Sequence, residues 1–295
     1  MTYKSYFNQL AAREQIEPLK EAIEITIDLS YASSVLFQQY PIDKPFEELI
    51  VYQVLDELAD LSEQHESAEG LAKLIWYPAK VICAVMDHKI LHKEEGQYIK
   101  EATELALGIY NGEATREEIL ALKDKFMSDE KNKVGFSRLD IYGKKIADQR
   151  SCKAMDPKYS EKAVKSLTET VNREDILFIA LGNGGIAPGL DVFLRYCNQN
   201  ETDSTFYPVR FSSHKRADQT PQLNDWEAKY LQEVRGDKKV VIFDEDTSSG
   251  LTLKRSHEFF CPSFVSDKDI ILMTNEEGTL EIDDLWYNQI RKKSA

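Results

Sequence analysis

Apolar residues recur every three or four positions through the first half of the chain. This spacing fits one face of a helix within residues 44–66 and again within 68–92, where Pro78 is expected to break or kink the helix. Residues 22–29 alternate like a strand although helical signals surround them, so both assignments stay open for that segment. The pattern favours a helical first half.

Helix-end signals further along support the same interpretation. Asn111-Gly112 is a pair typical of a helix C-terminus. Thr115 followed by Glu118 forms a capping box that opens the next helix. We therefore expect residues 1–148 to form an all-α accessory domain.

The second half alternates between strand-like and helix-like patterns. Apolar runs that predict strands occupy residues 175–181, 205–211, 239–243 and 269–274. Helical patterns lie at 158–171, 187–197, 223–234 and 250–260. Such alternation is typical of an α/β fold with a mostly parallel sheet and flanking helices, which we predict for residues 149–295.

Acidic residues exceed basic residues by enough to limit the classes of partner. The 295 residues include 51 Asp and Glu against 37 Lys and Arg, which gives a net charge of −14. Nucleic acids and anionic membrane surfaces are bound by clustered cations, so neither is an expected partner. A small anionic ligand held by a few local groups is compatible with this balance.

Targeting signals and cysteine spacing bear on the compartment. No apolar run reaches the roughly 18 residues that span a bilayer, and the first residues lack the apolar core of a signal peptide. The four cysteines form no CxxC pair, and we interpret them as reduced thiols. These features predict a cytoplasmic protein.

Residues 240–252 carry the most specific chemical signal. The apolar run at 240–243 predicts a buried strand, and Asp244 and Glu245 follow it directly. Their carboxylates suit hydrogen bonds from vicinal hydroxyls, or Mg²⁺ held directly or through water. Small hydroxyl residues and Gly250 come next, before a predicted helix whose positive N-terminus suits an anion. The segment predicts a sugar-phosphate site at the carboxyl end of a strand.

Two other segments carry matching signals. Gly182, Gly184 and Gly185 follow the strand predicted first in this half, where glycines let the backbone approach an anion. Arg210, near the end of the next predicted strand, and Lys215, after it, fall within a short basic window. An ordinary βα turn and a solvated loop are the alternatives for these segments taken singly.

In this order, the three segments resemble type I phosphoribosyltransferases. Residues 240–252 are similar to that family's fingerprint for 5-phosphoribosyl-1-pyrophosphate (PRPP): four apolar residues, two acids, two variable residues, then small-small-Gly-x-Thr. The resemblance implies a Rossmann-like α/β fold of the family's kind. It also implies Mg²⁺-dependent transfer of the phosphoribosyl group to an unidentified acceptor, with release of pyrophosphate. A homodimer is compatible with it.

The resemblance further implies roles for individual residues. Asp244 and Glu245 would form the catalytic pair, holding the ribose hydroxyls and Mg²⁺. The loop after them would hold the 5-phosphate, and the glycine segment with the two basic residues would hold the pyrophosphate. The implied PRPP-binding residues are Asp246, Thr247, Ser248, Ser249, Gly250, Leu251, Thr252, Gly182, Asn183, Gly184, Gly185, Arg210 and Lys215.

The sequence says less about the identity of the acceptor. Purine-specific members of the family often have an Asp at the start of the phosphate loop, where this chain has Ser248. Trp286 and Tyr287 could stack on a base, although core aromatics of a terminal helix are the better interpretation. The helical pattern at 223–234 also departs from the hairpin that many members have there.

Two other functions share these signals. A non-catalytic regulatory protein would bind PRPP or a nucleotide and act on a partner through its helical domain. A hydrolase-like or accessory protein would use an unusual acceptor, such as a protein side chain. The basic window after the second strand favours an enzyme, since a sensor needs it less.

His88 and His92 raise a separate hypothesis. They share one helix face at i, i+4 spacing, which would suit a metal ion. No third ligand is evident, so a structural pair is the better interpretation.

Overall fold

A computed structural model describes residues 50–63, 68–92, 96–111, 113–128, 154, 157–211, 220–245, 250–264 and 270–281. These residues form eight helices and five strands. The chain divides into two compact units, Met1–Pro157 and Lys158–Ala295. The predicted boundary between residues 148 and 149 lies outside the described residues and stays a prediction.

The described part of the first unit is helical. Its helices are α1 (Val51–Glu63), α2 (Ala68–His92), α3 (Gln97–Asn111) and α4 (Arg116–Ser128). Helix α2 packs against α1 and α3, and α1 packs against α4. The predicted capping box is confirmed: the N–H of Thr115 donates to Glu118 Oε2 (2.8 Å), and the N–H of Glu118 donates to Thr115 Oγ1 (3.2 Å). An all-α domain over residues 1–148 stays a prediction, because it includes residues outside the described ranges.

Helix α2 has 25 residues and continues through Pro78, which therefore does not break it. Trp76, Tyr77 and Ala79 beside the proline are buried. We attribute the continuity to this packing, since tertiary contacts commonly override local propensity. Neither α2 nor any other helix in the described ranges has both the length and the apolar character needed to cross a membrane.

The second unit is built on a five-stranded sheet. Its elements are α5 (Pro157–Val171), β1 (Ile176–Gly182), α6 (Ile186–Asn200), β2 (Thr205–Arg210), α7 (Asp225–Arg235), β3 (Lys239–Asp244), α8 (Leu251–Phe264), β4 (Ile270–Thr274) and β5 (Gly278–Leu280). The strand order is β2-β1-β3-β4-β5. The first four strands are parallel, and β5 is antiparallel to β4. The predicted mostly parallel sheet with flanking helices is confirmed, whereas β5 was not predicted because three residues carry no readable alternation.

Alternate side chains of the strands face helices on opposite sides of the sheet, as strand geometry requires. Phe178 and Phe206 pack with Phe193 of α6, with ring centroids 5.5 to 5.9 Å apart. The next residue of β2, Tyr207, packs instead against Tyr230 of α7 at 5.6 Å. Helices α6 and α7 therefore cover opposite faces of the sheet.

Candidate functional site

The sheet reverses its strand order between β1 and β3. From β1 the chain crosses to β2 on one side, then returns to β3 on the other side of β1. In open α/β sheets such a reversal opens a crevice at the carboxyl ends of the strands, where ligands bind. Gly182, Arg210 and Asp244 end β1, β2 and β3. Three of the predicted site segments thus meet at this edge.

The glycine turn, residues 182–185, joins β1 to helix α6. The peptide bond between Gly182 and Asn183 is cis. The N–H of Gly185 donates to the carbonyl of Leu181 (3.1 Å). Gly185 is buried and serves as the N-cap of α6, and no acidic residue lies in the first turn of that helix. The positive end of α6 and the turn together form a suitable place for an anion.

The acidic pair at the end of β3 lies against this turn. Asp244 and Glu245 are both half-buried, and the N–H of Glu245 donates to Asp244 Oδ1 (3.0 Å). A Cβ atom added to Gly184 would overlap the Glu245 carboxylate, with Oε2 at 2.6 Å. Glycine at position 184 is therefore what lets this carboxylate reach the turn.

Arg210 lies on the other side of the turn. It is the last residue of β2, and only 6% of it is exposed. Its Nη1 donates to Asn183 Oδ1 (2.5 Å). Backbone bonds also fix its position, because Arg210 pairs with Gly182 in the sheet and its carbonyl accepts from the N–H of Gln222 (2.9 Å). Arg210 thus places a fixed cation beside the glycine turn.

The start of helix α8 carries the predicted phosphate-binding residues that the structure describes. Gly250 has φ of 63°, a left-handed conformation that favours glycine. Leu251 and Thr252 form the first turn of the helix and are half-buried. The roles predicted for Lys215, Asp246, Thr247, Ser248 and Ser249 fall outside the described residues, as do those of Trp286 and Tyr287.

Residues at the end of β4 also reach this edge, and the sequence interpretation missed them. Thr274 pairs with Asp244 in the sheet, and Thr274 and Asn275 are fully buried. The available signal was the polar Thr-Asn pair directly after an apolar strand. These side chains extend the polar edge from β3 to β4.

The sequence interpretation also missed a buried hydrogen-bond network near the end of β2. The hydroxyl of Tyr207 donates to Glu227 Oε1 (3.0 Å), and Glu227 Oε2 accepts from the N–H of Asn224 (2.8 Å). Asn224 Oδ1 in turn accepts from the N–H of Glu227 (2.9 Å), which completes a capping box at the start of α7. Burial and the Glu227 carboxylate raise the pKa of Tyr207 well above its ordinary value. This buried network ties α7 to β2 three residues before Arg210.

Metal binding would rest on the acidic pair. The part of the chain that the structure describes contains no group of three or more metal-ligating side chains. Mg²⁺ is commonly held by one or two carboxylates together with substrate phosphates, a chemistry that Asp244 and Glu245 fit. His88 is buried in α2 and belongs to no such group among the described residues, and nothing is described for the side chain of His92.

Comparison of the chain with protein-family models, with curated proteins and with solved structures found no match in any of the three.

Proposed function

We propose that the second unit binds PRPP and transfers its phosphoribosyl group to an acceptor, in the manner of a type I phosphoribosyltransferase. One observation carries the proposal. The glycine turn lies between the acidic end of β3 and the cationic end of β2, at the edge where the strand order reverses. We further propose that the first unit is an all-α accessory domain.

The ribose and its 5-phosphate would occupy the β3 side. Asp244 and Glu245 are half-buried carboxylates at a strand end, positioned to accept hydrogen bonds from a pair of vicinal hydroxyls. Helix α8 begins shortly after them and offers its positive N-terminus to a phosphate. Gly250, with its positive φ, leads the backbone into that helix.

The pyrophosphate would occupy the β1 and β2 side. Beside the glycine turn, the N-terminus of α6 provides backbone donors, and Arg210 provides a charge. A buried guanidinium fixed by Asn183 and by the sheet loses little further freedom when an anion binds. Such preorganised charge is the usual source of stabilisation where negative charge develops during a reaction.

The reaction would require positioning more than covalent chemistry. A nucleophile on the acceptor attacks C1 of the ribose, the bond from C1 to the pyrophosphate oxygen breaks, and the electron pair leaves with pyrophosphate. Arg210 would stabilise the charge on the leaving group, while the acidic pair would hold the ring and favour the positive charge that develops on it. Mg²⁺, when bound, would neutralise part of the pyrophosphate charge.

Pyrophosphate release tests the transferase proposal. The protein is incubated with PRPP and Mg²⁺ together with each of a panel of purine, pyrimidine and pyridine bases, and released pyrophosphate is measured. We expect release with at least one base, abolished in Asp244→Asn. Binding of PRPP without release for any base would contradict catalysis and favour a non-catalytic regulatory protein. Absence of PRPP binding would contradict both.

A further inference from the structure

We infer that Glu227 is a positioning residue for Arg210, because it fastens the end of β2 to the start of α7 and so holds the Arg210 backbone in place before a ligand arrives. The inference rests on the proposed function. It adds to that function a residue of α7 that sets the affinity for the phosphoribosyl donor.

Strand β2 lies at the edge of the sheet. In the strand order it has β1 as a neighbour on one side, whereas an inner strand is paired on both sides. The end of an edge strand opens more easily than the interior of a sheet, since fewer backbone bonds hold it. Arg210 is the last residue of β2, so opening of that end would move the cation away from the glycine turn.

Two links join the end of β2 to the start of α7. At Arg210 itself, the backbone carbonyl accepts from the N–H of Gln222 (2.9 Å), which forms an isolated antiparallel bridge. Further back on β2, the hydroxyl of Tyr207 donates to Glu227 Oε1 (3.0 Å). The first link acts on the backbone of Arg210, and the second anchors the helix from which the first is made.

The side chain of Glu227 is held at both carboxylate oxygens. Oε1 accepts from Tyr207, and Oε2 accepts from the N–H of Asn224 (2.8 Å). The N–H of Glu227 donates back to Asn224 Oδ1 (2.9 Å), and none of Glu227 is exposed. Asn224 follows Gln222 closely in the chain, so Glu227 fixes the segment whose N–H holds the Arg210 carbonyl.

Anion affinity depends on the fraction of molecules in which Arg210 is in place. The apparent Kd rises in proportion as that fraction falls. Loss of the Glu227 carboxylate should therefore weaken the binding of an anion, even though a negative charge is removed. A purely electrostatic effect has the opposite sign, because removing a negative charge favours an anion. The direction of the change thus separates positioning from electrostatics.

Amide hydrogen exchange tests the positioning without any ligand. The probes are the N–H groups of Gln222 and Phe211, which donate to the carbonyls of Arg210 and Gly182. Amides of β3, the middle strand of the sheet, report global opening. Calorimetry of PRPP binding in Mg²⁺ then measures the consequence, at a temperature where every variant is folded.

The variants remove the link between β2 and α7 in different ways. Glu227→Ala removes the carboxylate, whereas Tyr207→Phe removes the hydroxyl and keeps the helix cap, so it serves if the first variant does not fold. Glu227→Gln is the conservative variant, since its amide can accept from Asn224 and donate to the Tyr207 oxygen. Leu167→Ala is the control for a general loss of stability, because Leu167 is fully buried in α5 of the same unit.

We expect exchange at Gln222 and Phe211 to rise about tenfold more than exchange in β3, in both Glu227→Ala and Tyr207→Phe. Both variants should bind PRPP about fivefold more weakly than the native protein. Glu227→Gln should fall between Glu227→Ala and the native protein, and Leu167→Ala should bind like the native protein. Exchange that rises no more at the two probes than in β3 would overturn the inference, as would unchanged or tighter binding by both variants.

The outcomes separate failure of the inference from failure of the proposed function. If the native protein binds PRPP and both variants bind it equally well, the positioning role of Glu227 is wrong and the donor site stands. If the native protein does not bind PRPP, the proposed function is wrong, and the effect inferred for Glu227 on donor affinity is wrong with it.

Discussion

The guanidinium of Arg210 donates to the side-chain oxygen of Asn183 over 2.5 Å, which joins the end of β2 to the turn after β1. Arg210 is held by the sheet, where it pairs with Gly182, and Asn183 directly follows Gly182 in the turn. The bond sets the direction of a buried cation toward the glycine turn. The charge is therefore part of the fixed framework of the site.

Arg210→Lys tests this positioning. Lysine keeps the charge but cannot reproduce the planar, multidonor geometry of a guanidinium. We expect PRPP affinity to fall about tenfold, which corresponds to roughly 1.4 kcal/mol. Calorimetry of PRPP binding in Mg²⁺ measures the change.

Arg235→Lys is the control, because it makes the same substitution at the C-terminal residue of α7. Asn183→Ala combined with Arg210→Lys should cost less than the sum of the two single effects, since both remove the same bond. Additive effects would show that Asn183 does not position Arg210.

The last two glycines of the turn, Gly184 and Gly185, should differ in their tolerance of alanine. A Cβ at Gly185 would lie 2.6 Å from the carbonyl oxygen of Leu181, which is backbone and cannot move aside. Gly185→Ala should therefore lower the free energy of unfolding by about 1 to 3 kcal/mol. A Cβ at Gly184 meets the end of the flexible Glu245 side chain, so Gly184→Ala should cost less than about 1 kcal/mol. Urea unfolding of both variants checks the order, and equal losses would contradict the described turn.

The buried Glu227 should contribute strongly to stability. Its carboxylate satisfies the Tyr207 hydroxyl and the Asn224 N–H, and none of it is exposed. Glu227→Ala leaves the buried Tyr207 hydroxyl and the half-buried Asn224 N–H without their acceptor, so we expect a loss of about 2 to 4 kcal/mol in urea unfolding. Glu233→Ala, on the exposed side of the same helix, should stay within about 0.5 kcal/mol. A small effect at both positions would contradict the network.

Alkaline pH should weaken the fold through its buried tyrosines. Burial, with added repulsion from nearby acidic groups, raises the pKa of Tyr207 and of Tyr196 above the ordinary 10.0. In the unfolded chain these phenols ionise at about pH 10, whereas the folded protein keeps their protons. The native state then binds more protons, so the stability present below pH 10 falls as the pH rises above it, by up to about 1.4 kcal/mol per pH unit for each tyrosine.

Tyr207→Phe isolates one of these contributions. The variant should be less stable at pH 8, because the hydrogen bond to Glu227 is lost. Its stability should nevertheless decline less steeply between pH 10 and pH 11 than that of the native protein. Urea unfolding across this interval measures both slopes, and parallel declines would argue against the raised pKa.

The predictable parts of this fold have local causes. The strand β3 is a continuous apolar run that ends at two acids, so both the strand and its polar end could be read directly. The capping box of Thr115 and Glu118 was predictable for the same reason, because its two members lie within one helical turn. The α/β alternation of the second unit follows from several such segments in sequence.

The parts that could not be predicted depend on strand order. Glu245 covers Gly184 only because β3 lies beside β1, with β2 on the opposite side of β1. Periodicity places each strand but does not say which strands are neighbours. The hydrogen bond between Tyr207 and Glu227 could not be predicted, because a buried pair from two different elements has no local sequence pattern.

Calorimetric titration with PRPP in Mg²⁺ tests the central claim most directly, using the native protein and the double variant Asp244→Asn, Glu245→Gln. The matched control is Asp237→Asn with Glu233→Gln, two exposed positions that make the same change in net charge. We predict saturable binding at millimolar concentration or below for the native protein and the control, and at least tenfold weaker binding for the double variant. No binding by the native protein, or equal binding by all three, would contradict a phosphoribosyl-donor site at the end of β3.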